Sequence, residues 1–136
     1  SLGDVIRRTV EPRVRDAGAA CRTRPGPAIR LAPNAAVTLN LVFHELASNA
    51  TRFGALSTPD GTVEVAWTAD AEAVTIDWRE SGGPPVTVPD RRGFGSRLIE
   101  QGLPREMGAE ALLTFAPDGL TCRIRLPLSE RVSRAG

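Results

Sequence analysis

A run of polar residues near the middle of the sequence has the types and spacing to hold a metal ion and phosphates. Glu45 and Asn49 lie four residues apart and Arg52 follows, so a helix would project all three from one side. Carboxylate and amide oxygens are Mg²⁺ ligands, and a guanidinium pairs with phosphate oxygens. A solvated polar stripe on a buried helix explains this spacing equally well. A zinc protease is excluded, because Ser48 stands where the second histidine should be and His44 is the only histidine.

A glycine-containing segment further along the chain could contact phosphates. Gly93-Phe94-Gly95-Ser96 stands just before a helical pattern, and backbone N–H groups at the start of a helix favour anions. The segment has no third glycine at Leu98 and no lysine of the P-loop type. By itself it is therefore better explained as a flexible loop in which Ser96 is an ordinary helix cap.

A third segment could recognise an amine. Glu80 follows an alternating pattern that predicts a strand, and Gly82 and Gly83 come directly after it. A carboxylate in that place can accept a hydrogen bond from an exocyclic amino group. The alternative is an exposed glutamate at the end of a strand. Trp78 is expected to pack in the core rather than to contact a ligand.

Apolar spacing and turn residues predict the elements that position these residues. The strands occur in adjacent pairs, which predicts an α+β fold: a two-layer sandwich with a mixed or antiparallel sheet and helices packed on one face. We expect Gly54 to end the longest helix and a long loop to cover residues 81–93. The predicted helices are 4–14 (ended by Pro12 or soon after), 34–53 and 94–107, and the predicted strands are 20–23, 28–31, 62–67, 73–79, 110–115 and 120–126.

The composition is that of one globular domain of 136 residues, with 41% hydrophobic and 24% charged residues. A net charge of +1 and 4% aromatic residues argue against a nucleic-acid partner or a membrane-surface contact. There is no apolar run long enough to span a membrane and no signal-peptide pattern. We expect Cys21 and Cys122 to be reduced in a cytoplasmic protein, although a disulfide between them stays open.

In this order along the chain, the three segments resemble a known set of three sequence motifs, or boxes. The chain is similar to the catalytic ATP-binding domain of histidine kinases, which has the Bergerat fold of the GHKL superfamily, and in particular to the HWE group. The first box corresponds to residues 44–57, the second to 78–86 and the third to 93–99. The resemblance extends over residues 1–128, and the joint match is far more specific than any single segment.

The resemblance implies roles for residues of the first box. Asn49 would bind the magnesium that bridges the ATP phosphates, with Glu45 beside it as ligand, water-positioning group or base. Arg52 stands in place of the usual lysine and would contact phosphate. Phe53 replaces the usual tyrosine and would lie against the adenine. His44 is a signature residue that orients Glu45 or anchors the helix.

The second and third boxes receive roles in the same way. Glu80 would accept a hydrogen bond from the adenine amino group, Gly82 would let the base approach, and Trp78 is the second signature residue. Residues 84–92 would form a short lid. The phosphates would be bound at the start of the third helix by Gly93, Phe94, Gly95 and Ser96.

The resemblance implies a sensor histidine kinase of a two-component system, which moves the γ-phosphoryl of ATP to a histidine on a separate dimerisation domain. A response regulator would act downstream. The acceptor motif is absent from this sequence, so we expect the chain to bind Mg²⁺ and ATP without phosphorylating itself. We divide it into a helix leading from a missing phosphoacceptor domain (1–14), the catalytic domain (15–128) and a flexible tail (129–136).

Two alternative functions remain. One is an anti-sigma-factor-type serine kinase of the same superfamily, against which His44 and the Trp78-x-Glu80 pair argue. The other is a non-catalytic phosphotransfer scaffold, against which the intact Asn49 and Glu80 argue.

Overall fold

Alternating apolar residues build one five-stranded sheet with the order β1-β3-β4-β6-β5. The strand β1 runs parallel to β3, and the other neighbours are antiparallel. The computed structural model describes residues 1–18, 20–84 and 97–135. The strands are β1 (Ala20–Arg24), β2 (Ile29–Leu31), β3 (Thr62–Ala69), β4 (Ala73–Ser81), β5 (Glu110–Ala116), β6 (Gly119–Pro127) and β7 (Val132–Arg134). The helices are α1 (Leu2–Ala17), α2 (Pro33–Phe53), a 3₁₀ turn (Ala55–Ser57), a π-helical turn (Leu98–Gly102) and α3 (Leu103–Met107).

The inner face of the sheet and the helices enclose one hydrophobic core. Successive side chains in a strand point to opposite faces, so the apolar half of each strand is buried and the polar half faces outward. The predicted α+β sandwich with a mixed sheet and helices on one face is confirmed. The inner-face residues of the three central strands are Val63, Val65, Trp67, Val74, Ile76, Trp78, Leu120, Cys122, Ile124 and Leu126.

The helix α2 is the predicted long helix and supplies much of the core. It begins at Pro33, whose missing N–H costs nothing in the first turn. It ends at Gly54, as predicted, but the backbone of Gly54 has a φ of −114° and is not left-handed. Conformational freedom is therefore not the reason for a glycine at this position. The buried residues are Ala35, Leu39, Val42, Phe43, Leu46, Ala47 and Ala50.

The first helix is longer than predicted, because α1 continues through Pro12 to Ala17. A proline inside a helix costs about 3 kcal/mol, and burial of large apolar side chains at about 1.5–3 kcal/mol each offsets this. The predicted end near Pro12 is therefore wrong. The helix packs against α2 within the same core, so it is an integral part of this domain. Its buried residues are Leu2, Ile6, Val10 and Val14.

The segment 129–136, for which we expect a flexible tail, contains a short strand. Residues Val132–Arg134 form β7, which pairs with β2 in a separate antiparallel ribbon. Val132 is buried, and the backbone N–H of Ala135 donates to the carbonyl of Ala28 at 2.9 Å. A polar composition suggested fraying, but one apolar side chain and an available strand edge are enough to order the segment.

The helix predicted at 94–107 is described from Arg97 onward. The chain there forms the π-helical turn and then α3, and both Ile99 and Leu103 are buried in the core. The two thiols are free, and their strands are separated by β3 and β4. Within the described ranges, no helix combines the length and apolarity that crossing a membrane requires.

Candidate functional site

Glu80 is the one buried charged residue among those described, with 3% of its surface exposed. Strand alternation places it on the inner face of β4 beside Trp78, whose indole Nε1 donates to Glu80 Oε2 at 2.9 Å. The backbone N–H of Ala55, just beyond the end of α2, donates to Glu80 Oε1 at 3.0 Å. The alternative of an exposed strand-end glutamate is therefore wrong, and Trp78 lies in the core as predicted.

Burial raises the pKa of the Glu80 carboxyl above its ordinary value of 4.5, while the hydrogen bonds from Trp78 and Ala55 lower it. Burial is the largest of these effects because a low dielectric disfavours the charged form. The two donors act in the opposite direction by stabilising the carboxylate. Each carboxylate oxygen can accept more than one hydrogen bond, so Glu80 keeps acceptor capacity for a ligand.

Three glycines bring backbone close to Glu80 or to its strand end. A Cβ on Gly54 would lie 2.1 Å from Glu80 Oε1, and one on Gly83 would lie 2.9 Å from the Cα of Ala55. Gly82 has a φ of +73°, and a Cβ there would lie 2.5 Å from the carbonyl oxygen of Asp60. Side chains are therefore excluded from the space between the end of α2 and the end of β4, which leaves a wall made of backbone.

The predicted polar stripe is present on α2. Glu45 and Asn49 are partly exposed, and neither makes a hydrogen bond or ion pair within the described part of the chain. Arg52 is exposed and its Nη2 donates to the Ser48 hydroxyl at 3.0 Å. His44 is exposed on the same helix. The nine residues from Glu45 to Gly54 span about 14 Å at 1.5 Å each. The stripe therefore runs along α2 from Glu45 toward the end of the helix, where Glu80 lies.

Phe53 is exposed over 70% of its surface although it ends α2 beside the Glu80 wall. It lies three and seven residues after Ala50 and Leu46, which are buried, and helical spacing puts all three on one side. The Arg52 guanidinium lies 5.8 Å from the centre of the Phe53 ring, within the range of a cation–π contact. An aromatic face is thus left uncovered at the end of the helix.

The fit to magnesium depends on the donors available. No group of three or more His, Cys, Asp or Glu side chains gathers among the described residues, and the oxygen donors of the polar stripe are the Glu45 carboxylate and the Asn49 amide. Mg²⁺ usually keeps several waters and takes phosphate oxygens as further ligands. The residues therefore fit a magnesium ion that arrives with phosphates, and not an all-protein metal site.

Part of the predicted site lies outside the described residues. This applies to Gly93, Phe94, Gly95 and Ser96, and to residues 85–92 of the predicted lid. Conversely, three groups around Glu80 had no predicted part in the site: Gly54, which was expected only to end the helix, the Ala55 N–H and Gly83. The only sequence signal for the first two was their position directly after the polar stripe, within the first box.

Comparison with known proteins gives both sequence relatives and structural neighbours. No family model matches the chain. It is 39% identical over 111 residues to a blue-light-activated histidine kinase of Brucella anthropi, which covers 79% of this chain and 23% of that protein. The Brucella ovis protein of the same name is 36% identical over the same length. The chain thus spans about a quarter of the length of these relatives.

The structural neighbours have the same fold. The catalytic domain of histidine kinase ThkA superposes with a TM-score of 0.69 at 16% identity, over 93% of this chain and 92% of that one. The histidine kinase domain of the Erythrobacter litoralis EL346 blue-light activated kinase gives 0.76 at 21% identity, over 96% of this chain and 66% of that one. The chain is therefore a homologue of histidine kinases and has the fold of their catalytic domains.

Proposed function

We propose that this domain binds ATP with Mg²⁺ between the end of β4 and the polar stripe of α2. We further propose that the intact kinase transfers the γ-phosphoryl to a histidine on a separate dimerisation domain. The buried Glu80 carboxylate carries the proposal. A soluble domain rarely buries a carboxyl group that has no cationic partner, and this one lies beside a backbone wall at the end of α2.

At the base end, Glu80 would accept a hydrogen bond from the exocyclic amine of adenine. Gly54 and Gly83 pack directly against the Glu80 carboxylate and the backbone of Ala55, so the protein would present backbone and a carboxylate, rather than bulky side chains, to the base. Phe53 offers an exposed aromatic face at the same end, and stacking on a base contributes about 1–3 kcal/mol. These features together favour an aminopurine nucleotide.

At the phosphate end, the unpaired oxygens of Glu45 and Asn49 would hold magnesium, and Arg52 would contact phosphate. Bound magnesium would supply neutralisation of the negative charge on the phosphates. Full-length ShkA, whose structure was determined in complex with AMPPNP, superposes with a TM-score of 0.72 at 18% identity, over 100% of this chain and 31% of that one. That neighbour supports a nucleotide site on this fold.

The chain's residues would contribute mainly positioning and charge. In the transfer, the bond from the γ-phosphorus to its bridging oxygen breaks and a bond to an imidazole nitrogen forms, releasing ADP. Glu45 is the group on α2 that can take up the imidazole proton or orient the acceptor. His44 is on the nucleotide helix, so we assign the phosphorylated histidine to another domain. A response regulator would receive the phosphoryl group afterwards.

Calorimetric titration with ATP, with and without Mg²⁺, tests the proposal. Asn49→Ala should weaken magnesium-dependent binding by about a hundredfold, since it removes one of the two proposed protein ligands of the ion. Asn40→Ala is the matched control, because Asn40 is an exposed amide on the same helix, and it should bind like the wild type. Absence of ATP binding by the wild-type domain would overturn the proposal.

A second measurement separates binding from transfer. The ATP-loaded domain should phosphorylate a dimerisation domain supplied in trans, and it should not label itself. Phosphohistidine on the isolated chain would contradict the assignment of the acceptor to another domain.

A further inference from the structure

Trp78 and Glu80 form a buried pair, and the family resemblance gives Trp78 no role beyond that of a signature residue. They stand two residues apart on the inner face of β4, with 1% and 3% of their surfaces exposed. The indole Nε1 binds one carboxylate oxygen at 2.9 Å, and the Ala55 N–H binds the other at 3.0 Å. The carboxylate is therefore fixed at both oxygens by donors from two different elements.

We propose that Trp78 is a positioning residue that sets base specificity, because its indole N–H holds the Glu80 carboxylate in the orientation that accepts the adenine amine. The inference rests on the proposed function. Guanine carries a carbonyl oxygen where adenine carries the amine, so a fixed carboxylate would face another acceptor and disfavour GTP. A carboxylate free to rotate would turn away from that oxygen and lose much of the discrimination.

The geometry gives a physical reason for this role. The last side-chain torsion angle of a glutamate has a broad, roughly two-fold distribution, so the side chain alone does not define the orientation of the carboxylate plane. One donor at each oxygen defines that plane before a ligand arrives. Binding then does not have to immobilise the carboxylate, and the loss of side-chain entropy on binding is smaller. Each oxygen keeps acceptor capacity beyond the hydrogen bond from its protein donor, so the fixed carboxylate can still accept from a ligand.

The indole also maintains the protonation state that recognition needs. Burial favours the neutral carboxyl, which would donate a proton instead of accepting one, and the Trp78 hydrogen bond opposes this shift. Among the described residues, the positions next to this carboxyl carry no titratable side chain: Gly54 and Ala55 lie at the end of α2, Val63 is the partner on β3, and Gly119 of β6 is next to the Glu80 backbone. The pKa of Glu80 therefore depends on its burial and on the two hydrogen-bond donors.

The chain contains a matched control for this pair. Trp67 is the second of its two tryptophans, lies on the adjacent strand β3 with 6% of its surface exposed, and donates from Nε1 to the carbonyl of Pro27 at 2.9 Å. Trp67→Phe therefore removes a buried indole hydrogen bond of the same length, away from Glu80. A general loss of packing would affect both variants, whereas loss of positioning would affect only Trp78→Phe.

The test is the ratio of ATP to GTP affinity, measured by calorimetry with Mg²⁺ over a range of pH. Both nucleotides carry the same triphosphate, so the ratio cancels phosphate titration and metal binding. Trp78→Phe should lower the ratio by about tenfold, and Trp67→Phe should change it by less than about twofold. The ratio should fall on acidification in all proteins, and this fall should begin at a higher pH in Trp78→Phe.

Two further measurements keep the test decisive if Trp78→Phe folds poorly. Replacing the Trp78 indole by benzothiophene keeps the ring's volume and removes only the N–H, and it should reproduce the tenfold loss. In Trp67→Phe the remaining tryptophan is Trp78, so its fluorescence should change with pH as Glu80 titrates. A wild type that does not bind ATP would refute the proposed function itself. Binding with an unchanged ratio in both Trp78 variants would refute only this inference.

Discussion

The two ends of the candidate site differ in how far the protein completes them by itself. At the end of β4, Glu80 is buried and both of its oxygens already have protein donors. On α2, Glu45 and Asn49 are partly exposed and have no partner within the described part of the chain. One end is thus preorganised by the core, and the other is left open to solvent.

This difference is the one that the proposed nucleotide site requires, because the two halves of a nucleotide differ in their chemistry. A base offers a few donors and acceptors in a fixed plane, so selectivity requires protein groups that are held equally firmly. Phosphates bring charge, water and a metal ion with them, and Mg²⁺ completes its shell largely from those oxygens. Side chains on an exposed stripe can adapt to that arrangement.

Gly54→Ala should have the largest effect on nucleotide binding. The new Cβ would lie 2.1 Å from Glu80 Oε1, so the carboxylate must leave the position fixed by Ala55 and Trp78. We expect ATP affinity to fall by about a hundredfold or more, because a buried polar contact is lost. Gly3→Ala is the control, since its Cβ would meet only Trp67 at 3.5 Å, an ordinary contact. An unchanged ATP affinity would show that the base end is not preorganised.

Phe53→Ala should weaken ATP binding without weakening the fold. The ring is 70% exposed, so the free energy of unfolding should change by less than about 0.5 kcal/mol. Loss of stacking should lower ATP affinity by about tenfold. Leu112→Ala removes a similarly exposed side chain, at 64% on β5, and should leave affinity unchanged. Equal affinities of the two variants, measured by calorimetry beside thermal melts, would exclude Phe53 from the base site.

Glu80→Gln should remove a pH dependence of stability, which is the smallest effect. The folded-state pKa of Glu80 is raised above 4.5, so the folded state holds the extra proton between that value and its raised pKa. The wild type should therefore lose stability as pH rises through this window. Relative to Glu80→Gln, we expect a loss on the order of 1 kcal/mol, measured by urea unfolding. The exposed Glu130→Gln serves as control, and parallel curves for all three proteins would contradict the burial effect.

Several features could be predicted because they depend on local pattern. Alternation along β4 places Trp78 and Glu80 on one face, and helical spacing places Glu45 and Asn49 on one side of α2. The end of α2 at Gly54 was also predicted correctly. The need for a glycine there is not local, because the approach of Glu80, 26 residues later in the sequence, excludes a side chain.

The order of the three boxes, the strands and long helix near them, and the chemical types of the site residues can all be read from the sequence. The burial of Glu80 against Ala55, the passage of α1 beyond Pro12 and the strand at residues 132–134 depend on the three-dimensional fold. In each of these cases the deciding contact joins segments distant in the chain. Hydrophobic period and turn chemistry report the preferences of neighbouring residues, and they carry no information about which distant backbone group will meet a given side chain.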